Sequence, residues 1–456
     1  MVTDDTIAAP ATPLGEGGIG IVRISGPASE TLLKKRFLPS RPIDRFHSHR
    51  LYHGTILSSD GKPLDEVLAV VMRKPRSYTC EDVVEVQCHG GPFVVRKILE
   101  SFIVAGARLA APGEFTLRAF LNGRIDLTRA EAVIDLIRSR SQKAVTVALQ
   151  QLEGRLGNHL AEIRQEIIEL LVIIEAYVDF PEEDMATLHM DQLEKQSLGV
   201  LQKIDKLLDS FNFGRVAREG LGILLVGRPN VGKSSLLNYL LGEDRAIVTS
   251  IPGTTRDTIE ELWALDGFSL RLIDTAGIHD SNDPVEAEGM RRTLEKIRSA
   301  DLILLVVDGS RDLDAFDEKS LDACDVSKTV LVVNKSDLGQ REVKAPFSTL
   351  PRVRVSALSG DGMEDLKKMI LHQVTRNCSG GDMGESAILS SRRHWESLNR
   401  CRGNLTSFVD SLGAAVPYEC LAVDLREAVQ SIGEVTGETL PEEVLNRIFS
   451  RFCIGK

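Results

Sequence analysis

LGILLVGRPNVGKSSLLNYLL, residues 221–241, decides how the middle of this chain folds. An apolar run of strand length, a glycine-bounded loop and a helix with an apolar period follow one another. The loop, GRPNVGKS from Gly227 to Ser234, fits the pattern G-x-x-x-x-G-K-[ST] in the strand–loop–helix context of a phosphate-binding loop. Its glycines let backbone N–H groups converge on phosphate oxygens, and the helix N-terminus adds a favourable dipole. Val231, Gly232 and Ser235 belong to the same cradle. Lys233 supplies a point charge to the β- and γ-phosphates, and the Ser234 hydroxyl is a magnesium ligand.

Outward from this loop, the runs LRLID, LILLVVDG, TVLVVNK and VRVSA alternate with helical segments as far as about residue 375. That alternation predicts a mostly parallel sheet covered on both faces. Further loops follow in the order a nucleotide site requires. Asp274 opens DTAG, where a carboxylate holds the magnesium shell; Thr275 and Ala276 continue the loop, and Gly277 offers an N–H to the γ-phosphate. TSIPGTTRD (249–257) brings Thr249, Ser250, Ile251, Pro252, Gly253, Thr254 and Thr255; a threonine hydroxyl here completes the magnesium shell only when γ-phosphate is present. Asn334, Lys335, Ser336 and Asp337 form NKSD, and a carboxylate at Asp337 accepts from both N1–H and the 2-amino group of guanine, donors that adenine lacks. Ser356, Ala357 and Leu358 fit the loop that closes over the base. The ordered set reads as GTP and Mg²⁺ binding, similar to the translation-factor branch of P-loop GTPases.

One departure carries mechanism. Ras-like switches place a Gln after DTAG to orient the attacking water, and this chain has Ile278. Another group must position water and another positive charge must assist. The side-chain oxygen of Asn230 can coordinate a monovalent cation beside the phosphates. Glu286, in NDPVEAEG, is a candidate for orienting water, its plain alternative being a solvated carboxylate at a helix start. Arg256 is open between a cis arginine finger and a surface charge.

The flanks differ in texture. Residues 1 to about 120 read as mixed α/β, with strands at IVRIS (21–25) and VVEVQC (83–88) and a helix at 94–107. Amphipathic helix fills 126–213, interrupted at Pro181, and returns after about Gly380. Helical texture on both sides of an α/β block predicts an inserted domain, because neither flank buries its apolar stripes alone. The expected divisions are 1–122, 123–215, 216–377 and 378–456. Net charge is −11, which excludes coating nucleic acid through bulk charge and leaves room for a local basic patch. No apolar run approaches the roughly 18 residues of a membrane span, and the acidic MVTDDTIAAP start is unlike a signal peptide. Seven widely spaced cysteines without a C-x-x-C pair predict reduced thiols in the cytoplasm. GEGGIG (15–20) matches G-x-G-x-x-G, yet prolines precede it and a strand follows, so it fails as a dinucleotide fingerprint.

DTIAAPATPLGEGGIGIVRISGP at the start, GEFTLRAFLNGRIDLTRAEAV at 113–133, PNVGKSSLLN, PGTTRD and the ending NRIFSRFCIGK together resemble the MnmE (TrmE) family of tRNA-modification GTPases from end to end. The resemblance implies three parts: an N-terminal α+β domain that binds 5-formyl- or 5,10-methylene-tetrahydrofolate and forms the homodimer, a helical bundle domain, and an inserted Ras-like P-loop GTPase domain. It implies that, with the flavoprotein MnmG (GidA), the protein adds an aminomethyl or carboxymethylaminomethyl group to C5 of the wobble uridine of certain tRNAs. GTP hydrolysis in the family is potassium-stimulated. Asn230, Thr249, Ile251 and Thr254 match the potassium site, Ser234 and Thr255 the magnesium ligands, and Glu286 the water-orienting glutamate. Folate contacts map to Arg23, Glu85, Arg124 and Lys456, Arg124 standing where members often carry Lys. Cys453 matches a cysteine open between a nucleophile and a packing role. The competing reading is a regulatory GTPase of ribosome assembly without folate chemistry.

Overall fold

The computed structural model describes residues 5–13, 15–179, 186–243, 260–274, 297–298, 300–339, 341–376, 387–412, 414 and 416–456. The strands are β1 (Ile7–Pro10), β2 (Gly20–Ser25), β3 (Phe37–Pro39), β4 (Leu51–Leu57), β5 (Pro63–Met72), β6 (Val83–Cys88), β7 (Arg108–Leu109), β8 (Leu221–Val226), β9 (Glu260–Leu265), β10 (Phe268–Asp274), β11 (Leu302–Asp308), β12 (Thr329–Asn334) and β13 (Arg352–Arg354). The helices are α1 (Ser29–Arg36), α2 (Pro92–Ala105), α3 (Glu114–Leu121), α4 (Leu127–Arg138), α5 (Gln142–Leu152), α6 (Arg155–Asp179), α7 (Ala186–Glu219), α8 (Lys233–Glu243), α9 (Ala315–Asp322), α10 (Met363–Arg376), α11 (Arg392–Leu412), α12 (Tyr418–Thr436) and α13 (Glu442–Phe449). They divide into two compact units, one of residues 1–134, 152–175 and 418–456, the other of 135–151 and 176–417.

The first unit is built on a seven-stranded sheet in the order β3-β4-β5-β6-β2-β1-β7. Its pairs are antiparallel apart from β1 against β7. Alternation in β2 buries Val22 and Ile24 and leaves Arg23 on the other face; β6 likewise buries Val84 and Val86 around Glu85. The register then sets Arg23 directly opposite Glu85. α2 begins with Pro92, whose missing N–H is harmless in the first turn, and lays Val95, Ile98 and Phe102 on the core. It stops at Gly106, where φ is 122°. The two ends of the chain meet in this unit. Phe449 and Phe452 pack with Leu127, Ala130 and Ile134, and the Gly113 N–H donates to the Cys453 carbonyl at 3.3 Å. Gly455 lies so close to the Pro10 carbonyl that any side chain would strike it, and its φ of 88° already favours glycine.

The second unit contains a six-stranded sheet in the order β13-β12-β11-β8-β10-β9, parallel except for the edge pair β9/β10. β8, β11 and β12 are buried at every position, as strands covered on both faces must be. Alternate residues feed two cores. Ile223, Leu225, Leu304, Val306, Val330 and Val332 face one, and Leu224, Val226, Leu305, Val307, Leu331 and Val333 the other. β9 is the strand that the apolar runs do not announce. It pairs with β10 through Asp266-Gly267, both at positive φ (48° and 78°), the two-residue turn a hairpin favours. On the helical side, α7 meets the chain returning after the sheet. Phe211 and Trp395 pack with centroids 5.8 Å apart, and the Leu389 N–H donates to Ser210 Oγ at 3.0 Å.

Candidate functional site

In the second unit the phosphate-binding loop springs from β8, in mid-sheet. Gly227 (φ 148°) presses against the Val306 carbonyl, and Gly232 (φ 96°) against the Asn334 amide; a side chain at either position would collide with these neighbours. Asn230 also turns through positive φ, 66°. Lys233 is 5% exposed and its ammonium donates to the Gly227 and Arg228 carbonyls at 2.8 and 2.9 Å, so the lysine is pinned inside its own loop. Val231 is buried, while Ser234 and Ser235 are exposed in the first turn of α8. β10 ends at Asp274, whose backbone pairs with Leu225 just before the loop.

The NKSD and Ser356–Leu358 segments close the other side. Asn334 is 2% exposed and spends both ends of its amide on protein. Its Nδ2 donates to the Val231 carbonyl at 2.8 Å, and its Oδ1 accepts from the Ala357 N–H at 3.0 Å. One side chain thus braces the phosphate loop against the base loop. Asp337 is exposed, and its Oδ1 accepts from the buried Ser356 hydroxyl at 2.6 Å. Ser336 is tied by its N–H to the Val355 carbonyl at 3.1 Å. Leu358 is 90% exposed at the rim. Lys335 holds φ 63° and pairs its ammonium with Asp308 at 2.7 Å. Burial would raise the Asp308 carboxyl, but donors from Lys335 and Ser310 outweigh it and hold the group down to about 2. Motif reading overlooked Asp308; the signal was its place at the end of an apolar strand, level with Asn334 in the register. The segment positions Thr249, Ser250, Ile251, Pro252, Gly253, Thr254, Thr255 and Arg256, together with Thr275, Ala276, Gly277 and Glu286, lie outside the described residues.

A second constellation sits in the first unit. Arg23 Nε donates to Glu85 Oε1 at 2.7 Å, and Arg23 Nη1 to the Gly455 carbonyl at 3.2 Å. The Arg23 guanidinium carbon lies 5.4 Å from the Tyr78 ring centroid and 5.7 Å from that of Phe115. Arg124 reaches Tyr78 as well, 4.9 Å from the ring centroid and 2.6 Å from its carbonyl. Burial and the neighbouring Arg23 lower the pKa of Lys456, while Glu85 and Cys453 act in the opposite sense. Arg23, bonded to Glu85, and Arg124 thus meet at the Tyr78 ring, while Lys456 is tied to the group only through the charges of Arg23 and Glu85 that act on it. Tyr78 and Phe115 belong to no motif and read in sequence only as isolated aromatics near a turn and a helix start. Cys453 is exposed, and its carbonyl accepts from the N–H groups of Gly113 and Lys456.

The constellation offers flat aromatic surface, a carboxylate and cations, which fits a heteroaromatic ligand with an acidic tail. The cradle fits a guanine nucleotide: two loop glycines, an enclosed lysine and an outward carboxylate in NKSD.

Two family models and full-length relatives match the chain. The family "GTP-binding protein TrmE N-terminus" matches residues 6–124, and "MnmE helical domain" matches residues 127–453. The tRNA modification GTPase MnmE of Syntrophotalea carbinolica is 52% identical over 456 residues, covering all of both chains. That of Geobacter sulfurreducens is 50% identical over 459 residues, again covering all of both. The G domain of the T. maritima FeoB iron transporter is 28% identical and covers 34% of this chain and 98% of its own, with a TM-score of 0.27. With two family matches in tandem and full-length relatives at half identity, the chain belongs to the MnmE (TrmE) family of tRNA modification GTPases.

Proposed function

We propose that this protein is the potassium-dependent, GTP-hydrolysing component of a tRNA-modifying complex. In this reading it acts in the cytoplasm as a homodimer with the flavoprotein MnmG. The complex adds an aminomethyl or carboxymethylaminomethyl group to C5 of the wobble uridine of certain tRNAs, and a 5-formyl- or 5,10-methylene-tetrahydrofolate donates the carbon. The division into a folate domain (1–122), a helical domain (123–215 and 378–456) and a GTPase domain (216–377) belongs to the same proposal.

The observation that carries it is the Arg23–Glu85 pair and Arg124 beside the Tyr78 ring, with Arg23 also bonded to the Gly455 carbonyl next to Lys456 in the chain. A pteridine carries amide-like donors that suit the Glu85 carboxylate and a ring system that suits Tyr78. Its glutamate tail suits the cations, with Arg124 as a planar fork. The GTPase half follows from the cradle. Lys233 and loop N–H groups neutralise phosphate charge, Asp337 selects guanine, and Ser234 with Thr255 would hold Mg²⁺. Bound Mg²⁺ supplies charge neutralisation at the β- and γ-phosphates. With Ile278 in place of a water-orienting Gln, Glu286 takes that role. Asn230, with Thr249, Ile251 and Thr254, would hold K⁺ where an arginine finger otherwise serves. Arg256 is the candidate cis arginine finger, its alternative a surface charge, and Cys453 a candidate nucleophile, its alternative a packing role.

Calorimetric titration with 5-formyltetrahydrofolate tests the reading. Saturable binding is expected, and its loss in Glu85→Gln supports the assignment. Absence of saturable binding by the unaltered protein would favour a regulatory GTPase of ribosome assembly without folate chemistry.

A further inference from the structure

We infer that the loop joining β3 to β4, together with the residues that follow β5, is a docking surface for the phosphate backbone of RNA. The loop reads SRPIDRFHSHR from Ser40 to Arg50 and carries three arginines against one carboxylate, Asp44, in a chain of net charge −11. Arg41, Arg45 and Arg50 are all exposed, as are Lys74 and Arg76 just after β5. Among the described residues none of these five is paired with a carboxylate. The adjacent cations differ: Lys34 and Arg73 share Glu30, at 2.9 and 2.7 Å. The Asp82 carboxylate accepts from the Lys74 N–H at 3.0 Å, a backbone contact that leaves the lysine side chain unclaimed.

The loop is built to hold its shape. Phe46 is 6% exposed and meets Tyr52 edge-on with centroids 5.0 Å apart. The Phe46 carbonyl accepts from Arg73 Nη2 at 2.8 Å, and the Tyr52 hydroxyl from the His47 N–H at 2.7 Å. The His49 N–H donates to the Val71 carbonyl at 2.8 Å, and the Arg73 N–H to Ser48 Oγ at 3.0 Å. These bonds moor residues 46–49 of the loop to residues 71–73, which lead directly into Lys74 and Arg76, and Arg50 lies 5.9 Å from the Tyr52 ring centroid, so the basic strip of loop and neighbouring cations is held in place and little ordering cost remains on binding. Guanidinium forks match phosphate oxygens in pairs. A membrane surface is disfavoured because the loop's apolar side chains, Ile43 and Phe46, both pack inward and leave nothing to insert into a bilayer.

The inference rests on the proposed action on tRNA and adds where its backbone lies. Arg76 is two residues from Tyr78, so the strip leads to the proposed one-carbon site.

The test uses the full chain with Arg41, Arg45 and Arg50 replaced together by Gln, and tRNA binding followed by fluorescence anisotropy across a salt series. Affinity should fall about tenfold or more at low salt, and the slope of log K against log salt should become shallower by about 2 to 3. The triple Lys variant should keep most of the slope, and hydrolysis of GTP without tRNA should be unchanged in both. If the Gln triple loses that basal activity, R41Q and R45Q alone should each lower the slope by about 1. Unchanged affinity and slope in the variants, with the parent binding tRNA, overturns the inference alone. A parent that binds no tRNA at any salt overturns the underlying reading first. Loss of binding to anionic phospholipid vesicles while tRNA binding persists assigns the strip to a membrane and overturns it too.

Discussion

Replacing Asn334 by Ala tests the claim that one amide joins the two halves of the guanine nucleotide cradle. The substitution removes the donor to the Val231 carbonyl (2.8 Å) and the acceptor from the Ala357 N–H (3.0 Å). Val231 is 1% exposed, so its carbonyl is left with no water to turn to. A buried group orphaned in this way costs about 1–3 kcal/mol, and Ala357, being partly buried, sits at the lower end of that range. The pair together predicts a loss of roughly 2–4 kcal/mol. For a domain of this size that lowers the unfolding midpoint by about 5–15 °C. Two measurements read it. Thermal unfolding can be followed by the fluorescence of Trp263, which is fully buried in the same unit. Titration with a guanine nucleotide should show weakened binding, because the phosphate loop and base loop lose their common tether. Asn334→Asp sharpens the result. It keeps the acceptor but turns a carboxylate oxygen toward the Val231 carbonyl, so it should be no better than Ala. A midpoint within about 1 °C of the parent and unaltered nucleotide affinity in Asn334→Ala would refute the brace.

Three other outcomes concern the same unit. Asp337→Asn should move base preference from guanine toward xanthine, read by competition with XTP; unchanged preference removes Asp337 from base recognition. Asn230→Ala should abolish the difference in GTP hydrolysis between potassium and sodium buffers, whereas intact stimulation retires the cation site. Asp308 is held at about 2, below its ordinary 3.8, so its contribution to stability is full above about pH 5 and fades as pH falls through 2. The stability gap between the parent and Asp308→Asn should therefore close between roughly pH 4 and pH 2 in acid unfolding, and a gap constant with pH would contradict the pairing with Lys335.

The parts of the fold legible in sequence are those where one physical demand acts on contiguous residues. A strand covered on both faces must be apolar throughout, and β8, β11 and β12 are. A phosphate cradle needs glycines at fixed offsets, and Gly227 and Gly232 stand where backbone contact forbids a side chain. β9 was equally legible, because Asp266-Gly267 is a strong hairpin signal, but its strand is mixed in polarity and the apolar-run criterion passed over it. The two-stranded excursion of β4 and β5 escaped for the same reason: its open face alternates polar residues into what would otherwise be an apolar run.

The N-terminal constellation follows a different rule. Arg23 and Glu85 are 62 residues apart, and Arg23 and Gly455 are 432 apart. No local period encodes such a meeting; it depends on the strand register of β2 with β6 and on where the aromatic anchors Phe449 and Phe452 seat the tail. Only the family resemblance could name its members from sequence. The basic strip was hidden by an average, since a net charge of −11 says nothing about a loop whose arginines outnumber its carboxylates. Charge acts over about 8–10 Å in physiological salt, so the relevant sum is over that neighbourhood and never over the chain. Chain-end chemistry obeys the same locality. Burial and Arg23 lower the pKa of Lys456 while Glu85 opposes them, so its charge answers to residues of β2 and β6 more than 370 positions away in sequence.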